Sequence, residues 1–388
     1  MDINRRSVLA GGGLVLAGAS TPVAARRDLV GNSMFSATIG EAAATALAEG
    51  AAPGLAVAVA ERGKLLLARG FGTANLETSS IVAANSVFRI GSLSKQFTAA
   101  AALKLAAAGK LDLDSPVDRL LHAFAGKPAF TLREAMHHTA GLHSNEDGAL
   151  LYDGKPITQM RLAEAIATQS QLTDFAPGTA WFYSNANYIV LGAAIEAATG
   201  MPFDVALANL LFRPLGLAST AVDRAVDVVP HRVSGYTPTD ESTPRRWSNA
   251  AWLDIWQAGG AGAMRSTLGD LARWHQFLLG SKFVDQSGLL KPGRLRDGRV
   301  SGANRFSPED AHYGDVQYAG GLLVTAAGKS PRMAQHYGFI SGFRRSWKPI
   351  SIACGHSSSC SIAIRDRTFR FALCARRPLA SCRPSRAN

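Results

Sequence analysis

Cysteine is missing from the first 353 of the 388 residues; all four, Cys354, Cys360, Cys374 and Cys382, fall in the last stretch. With none beside the small-residue pattern Val23-Ala24-Ala25, a lipid-anchored mature end is not expected. Beyond the first 25 residues no apolar run suggests a membrane span. No internal repeat and no long linker divides the chain, so its 47% apolar residues can bury one large core or two intimately joined domains. A charge excess is lacking as well once the net +12 is partitioned. Ten Lys/Arg against one acid after Phe343 carry +9, and the first 25 residues carry +1, which leaves +2 for the body between them. A body so close to neutral needs no polyanionic partner, and nucleic-acid binding is not expected.

What is present begins with a leader. Residues 1–25 combine Asn4-Arg5-Arg6-Ser7, a glycine-diluted apolar run of about a dozen residues and the small-residue processing site. The run is too short to span a bilayer. Paired arginines before a weakly apolar core resemble a bacterial twin-arginine export signal, an ordinary secretory signal being the alternative. The mature chain is expected to begin near Arg26 and to be periplasmic or secreted.

Hydrophobic periodicity then gives a coarse order of elements. Residues 35–50 read as an amphipathic helix with Ile39, Ala43 and Leu47 on one side, and residues 53–60 and 64–71 as the strands of a hairpin. An alanine-rich helix stops at Gly109, a capping-box pattern joins Thr131 to Glu134, and residues 189–200 form a helix closed by glycine. Residues 258–262 are a glycine-rich turn, residues 267–279 an amphipathic helix, and residues 318–324 and 334–339 two late strands. Strands at both ends with helices between predict an α+β protein, an antiparallel sheet built from both chain ends and flanked by helices, with a mostly helical lobe inserted.

The alanine-rich helix opens with Phe88-Arg89-Ile90-Gly91-Ser92-Leu93-Ser94-Lys95-Gln96-Phe97. Three residues apart at a helix start, Ser92 and Lys95 share a face, so the two side chains can meet. A serine hydroxyl attacks poorly until a base takes its proton, and a desolvated lysine amine can do so near neutral pH. Helix-terminal N–H groups add donors for a developing oxyanion. Ser92 is flanked by no G-x-S-x-G elbow, which argues against an α/β-hydrolase.

Further motifs follow in one order: His138-Thr139-Ala140-Gly141-Leu142, Pro177-Gly178 leading to Tyr183-Ser184-Asn185, and His336-Tyr337-Gly338. This combination, over residues 36–343, resembles the serine β-lactamase and penicillin-binding-protein superfamily, specifically its class C β-lactamase-like branch of esterases, D-aminopeptidases and carboxypeptidases. The resemblance implies a β-lactamase/transpeptidase-like fold and hydrolysis through a Ser92 acyl-enzyme without metal or cofactor. It implies Lys95 and Tyr183 as partners in the proton network, either of which could be the base, and Asn185 as the amide that orients substrate and Lys95. His336 and Gly338 would contact substrate, and the backbone N–H groups of Ser92 and Phe339 would form the oxyanion hole.

His336 stands where β-lactamases and many peptidases have the lysine of K-T-G. A mostly neutral histidine anchors a substrate carboxylate less firmly than a fixed ammonium. The expected activity is therefore cleavage of an ester or amide by an esterase or peptidase-like enzyme, with weak β-lactamase activity at most. Alternatives are a β-lactamase or D-alanyl-D-alanine carboxypeptidase proper, and an inactive cell-wall-peptide-binding homologue. The expected partner is a small-molecule or peptide substrate; the oligomeric state is left open. His137, His138 and His143 fit no metal-ligand spacing, and the resemblance makes His138-Thr139 a structural turn. Trp247, Trp252 and Trp256 are cleft-lining or core residues.

The expected domains are an export signal over 1–25, a hydrolase domain over 26–343 and an atypical Arg/Ser/Cys-rich tail over 344–388. That tail reads either as an appended disulfide-linked or anionic-surface-binding segment or, favoured by the apparent lack of closing strands, as a change of reading frame that disrupts the end of the domain. Residues 362–364 and 369–373 are its candidate strands.

Overall fold

The computed structural model describes residues 33–61, 64–144, 157–240, 245–251, 254–280, 286–308, 316–325, 333–338, 340, 350–353 and 359–363. The leader expected over residues 1–25 lies outside them.

Helix α1 (Ser33–Ala48) buries Ile39, Ala43 and Ala46. It packs on the hairpin of β1 (Gly54–Glu61) and β2 (Lys64–Asn75), and β3 (Ser80–Ile81) extends that pair. The period of two explains why β1 is apolar throughout: Leu55 and Val59 join the clusters under α1, while Ala56, Ala58 and Ala60 face the main core.

Strand β4 (Phe88–Arg89) leads through a tight turn at Gly91–Leu93 into α2 (Ser94–Ala107). The helical lobe continues with α3 (Leu132–Met136), α4 (Gln159–Ala167), α5 (Asn185–Thr199) and α6 (Phe203–Leu207). Residues 94–103 of α2 and 186–196 of α5 are buried on every side. Helices buried all round stand at the centre, and the small side chains of Ala99–Ala102, Ala193 and Ala194 let neighbours approach. The expected capping box of Thr131 and Glu134 is formed at α3. Helix α5 begins at Asn185, four residues before its apolar pattern, because Ser184 is extended (φ −138°, ψ 130°) and the polar Asn185 and Asn187 hide the first turn. It closes on Gly200 at φ +64°.

Strands β5 (Ala221–Val222), β6 (Tyr236–Pro238) and β7 (Trp247–Asn249) precede the turn α7 (Gly259–Gly262) and strand β8 (Met264–Ser266). A small sheet in the order β4-β8-β5 is tied together by Asp223, whose fully buried carboxylate meets Arg89, Arg232 and Arg265 at 2.8–3.0 Å. Helix α8 (Leu268–Gly280) runs against β1 and β2, and α9 (Gln286–Leu290) touches α2. Among the described residues no single helix is long and apolar enough to cross a membrane.

Where one late strand is expected over 318–324, the structure forms a hairpin of β9 (Val316–Tyr318) and β10 (Leu323–Thr325). Gly321 is the reason: it turns at φ +73°, and a Cβ there would lie 2.5 Å from the backbone nitrogen of Gln96. Next comes β11 (Met333–His336). The sheet also contains two strands from beyond Phe343, β12 (Ile350–Ala353) and β13 (Ser359–Ala363). The main antiparallel sheet runs β3-β2-β1-β13-β12-β11-β10-β9, so strands from both chain ends build it and the helical lobe is inserted between them, as expected. Candidate strand 362–364 overlaps β13; candidate strand 369–373 lies outside the described residues, as do Cys354, Cys374, Cys382 and the Cys360 side chain.

Gly321→Ala combines a left-handed backbone with a clash against α2 and is expected to cost on the order of 2 kcal/mol or more. Gly109→Ala, with a similar φ of +68° but nothing within 4 Å, isolates the strain at about 1 kcal/mol. Urea unfolding midpoints of the two variants, with equal losses contradicting the close packing, are the check.

Candidate active site

Ser92 is placed by a turn that is fastened from several sides. Gly91 takes φ +51°, the Ser94 hydroxyl donates to the Gly91 carbonyl at 2.6 Å, and the Met264 N–H donates to that hydroxyl at 3.1 Å. The Ile90 N–H donates to the Met264 carbonyl at 2.9 Å. Ser92 therefore sits at the head of α2, half-buried at the junction of the sheet and the helical lobe.

Lys95, one turn on, is fully buried. Its Nζ lies 3.1 Å from Ser92 Oγ, 2.8 Å from Asn185 Oδ1 and 2.9 Å from the Ala261 carbonyl oxygen. The amide oxygen and the carbonyl can only accept, so they hold two N–H groups and leave another position of the amine turned to the serine. There an ammonium donates and a neutral amine accepts, which is the arrangement a proton exchange with Ser92 requires. The Tyr183 ring centroid lies 4.7 Å from Nζ and that of Tyr188 5.6 Å. The structure thus brings together Ser92, Lys95, Tyr183 and Asn185 as the sequence motifs predict.

Strand β11 carries His336 to the same place. The Tyr337 carbonyl can only accept, so His336 donates to it from Nδ1–H at 2.7 Å, and Nε2 accepts from the Tyr318 hydroxyl at 3.0 Å. Both nitrogens are engaged within the protein, and neither is left for a substrate in this geometry. Burial, and then the nearby Lys95 charge, lower its pKa to about 3. Gly338 lies against the Ile90 backbone, where a Cβ would meet the Ile90 carbonyl oxygen at 2.3 Å, so the end of β11 passes close to the Ser92 turn. Phe339, expected to supply the second oxyanion donor, lies outside the described residues.

The three neighbouring histidines go to separate places. His137 is buried, with its pKa lowered to about 4 by burial and then by Arg133. His138 accepts from the Ser184 N–H, and His143 Nδ1 lies 2.6 Å from Asp174 Oδ1. Trp256 is a core residue whose Nε1–H donates to the Ile157 carbonyl at 2.6 Å; Trp247 lies in β7, and Trp252 is outside the described residues.

Two participants escape sequence reasoning. Ala261 contributes only its backbone carbonyl, for which the glycine-rich run over 258–262 was the sole sign. Tyr318, whose hydroxyl occupies His336 Nε2, reads in sequence as an ordinary apolar strand position.

A serine and a buried lysine one helical turn apart, held where a two-ended antiparallel sheet meets an inserted helical lobe, define the β-lactamase/transpeptidase class of fold. The chain belongs to the beta-lactamase family, whose model matches residues 39–351. It is 27% identical over 305 residues to penicillin-binding protein 4* of Bacillus subtilis, covering 74% of this chain and 63% of that protein. It is 35% identical over 187 residues to esterase EstB of Burkholderia gladioli, covering 44% and 47%. The chain thus spans between about half and just under two thirds of the length of these curated relatives. The D-amino acid amidase of Ochrobactrum anthropi SV3, solved with D-phenylalanine, shares its fold with a TM-score of 0.66 at 22% identity, over 86% of this chain and 92% of that one.

The buried histidines set a pH dependence. In the folded protein His336 takes up a proton only near pH 3, and His137 and His275 only near 4, against about 6.5 when exposed. Between those limits the unfolded chain binds more protons, so their contribution is fully present above about pH 6.5 and is lost as pH falls toward 3–4. The unfolding free energy from urea titrations is expected to drop steadily from about pH 7 to about pH 4.5, by on the order of a few kcal/mol in all. A flat profile would contradict neutral burial.

Proposed function

We propose that the protein is a serine hydrolase that cleaves esters or amides through a Ser92 acyl-enzyme, in the manner of the class C-like branch. The observation that carries the reading is Lys95 Nζ, buried and held at 3.1 Å from Ser92 Oγ by two acceptor-only partners. Ser92 Oγ forms a bond to the substrate carbonyl carbon as its proton passes to Lys95. The Ser92 backbone N–H faces the oxyanion. Collapse breaks the bond to the alcohol or amine, which leaves with a proton returned through Lys95 and Tyr183. Water then attacks the Ser92 ester by the reverse transfer, releasing the acid and restoring the hydroxyl.

The neutral His336 with both nitrogens engaged supports substrates without a free carboxylate beside the scissile bond, hence esterase or amidase rather than lactamase or carboxypeptidase chemistry. The names esterase EstB and D-amino acid amidase fall in this range, and that of penicillin-binding protein 4* does not. The leader pattern at residues 1–25 supports export, with a periplasmic or secreted small-molecule or peptide substrate.

A fluorophosphonate probe is expected to label Ser92, located by mass spectrometry, and a nitrophenyl ester to give a burst that Ser92→Ala abolishes. Lys95→Ala is expected to lower kcat by at least about 1000-fold. Hydrolysis of short nitrophenyl esters is expected to exceed that of a chromogenic cephalosporin. Absence of both label and burst on folded protein favours the inactive peptide-binding homologue instead.

A further inference from the structure

We infer that His138 is a positioning residue for acylation, holding Tyr183 and Asn185 in register with Lys95 through an unprotonated Nδ1. The inference rests on the serine-hydrolase reading. It starts from the backbone: His138 is a buried non-glycine residue at φ +59°, a conformation that persists only where surrounding contacts enforce it.

Those contacts bracket the Tyr183-Ser184-Asn185 segment. The His138 carbonyl accepts from the Phe182 N–H at 3.1 Å. Its ring Nδ1 accepts from the Ser184 N–H at 3.2 Å and from Asn187 Nδ2 at 3.1 Å. A backbone N–H can only donate, so Nδ1 carries no proton and the neutral ring has its hydrogen on Nε2. One residue thus binds the positions on either side of Tyr183 and the first turn of α5, from which Asn185 reaches Lys95. The imidazole also lies against the Tyr183 ring, with centroids 4.5 Å apart.

The same turn is strapped to the loop ahead of this segment. The Gly178 N–H donates to the Thr139 carbonyl at 2.7 Å and the Asp174 N–H to the Gly141 carbonyl at 2.8 Å. Among the described residues Nε2 has no hydrogen-bonding partner, and the Tyr318 ring stands edge-on to the imidazole at 4.4 Å. The ring therefore does its work through Nδ1 and its stacked face. Burial and the Lys95 charge both keep it from taking a second proton, which would set an N–H against the Ser184 N–H.

Asparagine places an acceptor oxygen at the δ position and tolerates positive φ, whereas glutamine moves the acceptor one atom outward. A misplacement of about 1 Å in a reacting group can cost roughly 100-fold. His138→Gln is therefore expected to lower kcat and the rate of Ser92 labelling by about 100-fold with KM changed by less than about threefold, and His138→Asn to recover kcat to within about tenfold of wild type. Equal activities of the Asn and Gln variants, or wild-type kcat in His138→Gln, overturn the inference. Should His138→Gln fail to fold, Asn187→Leu, which removes one donor to Nδ1, carries the test: a kcat loss of about tenfold at constant KM supports it, and unchanged kcat overturns it. A wild-type protein that shows neither turnover nor a Ser92 adduct marks failure of the hydrolase reading, an outcome visible without any His138 variant.

Discussion

Placing an amine with no exposure in the middle of a protein is tolerable only if acceptors surround it, and the structure is organised to supply them to Lys95. They come from three places far apart in sequence: Ser92 at the head of α2, Asn185 at the head of α5 and Ala261 in the turn α7. Each needs its own support. Gln159 from α4 accepts from the Gly260 N–H at 2.9 Å, and Thr98 donates to the Gly260 carbonyl at 2.8 Å, so the α7 turn is fixed from both sides. The α5 end is held by Ser184 and Asn187 against His138.

Glycine decides how close the sheet comes to this amine. Gly321 rests on the backbone of Lys95 and Gln96, and Gly338 on the Ile90 carbonyl, so the β9–β10 turn meets the first turn of α2 and the end of β11 meets the nucleophile turn with no side chain between. On the other side of the amine the rings of Tyr183, Tyr318 and His336 stand about 6 Å apart.

Much of this was legible in the chain. The i, i+3 spacing of Ser92 and Lys95, the alanine content of α2, the capping box at Thr131 and the apolar run of β1 are local signals, and each corresponds to an element of the structure. Tyr183 and Asn185 were recognisable by motif resemblance, while nothing local ties them to Lys95. What local patterns could not show were contacts made by backbone atoms or by side chains of unremarkable type. The Ala261 carbonyl, the Tyr318 hydroxyl on His336 and the break of one apolar run into β9 and β10 all depend on what lies opposite in three dimensions. The charge and cysteine shift after Phe343 pointed to a change of character, yet two short segments there have strand geometry, because pairing partners on both sides determine what composition alone leaves open.

The place of β13 in the sheet bears on how the molecule comes into being. Val57 pairs with Ala363, and this pairing joins the amino-terminal hairpin to the strands that carry His336. A ribosome delivers Val57 long before Ala363, so β1 waits with an open edge while the whole helical lobe emerges. Loop closure on that scale is slow, and the waiting edge is open to wrong partners. Assembly of the sheet is thus a late event of biogenesis, one that follows the emergence of the whole helical lobe that carries the Ser92–Lys95 helix.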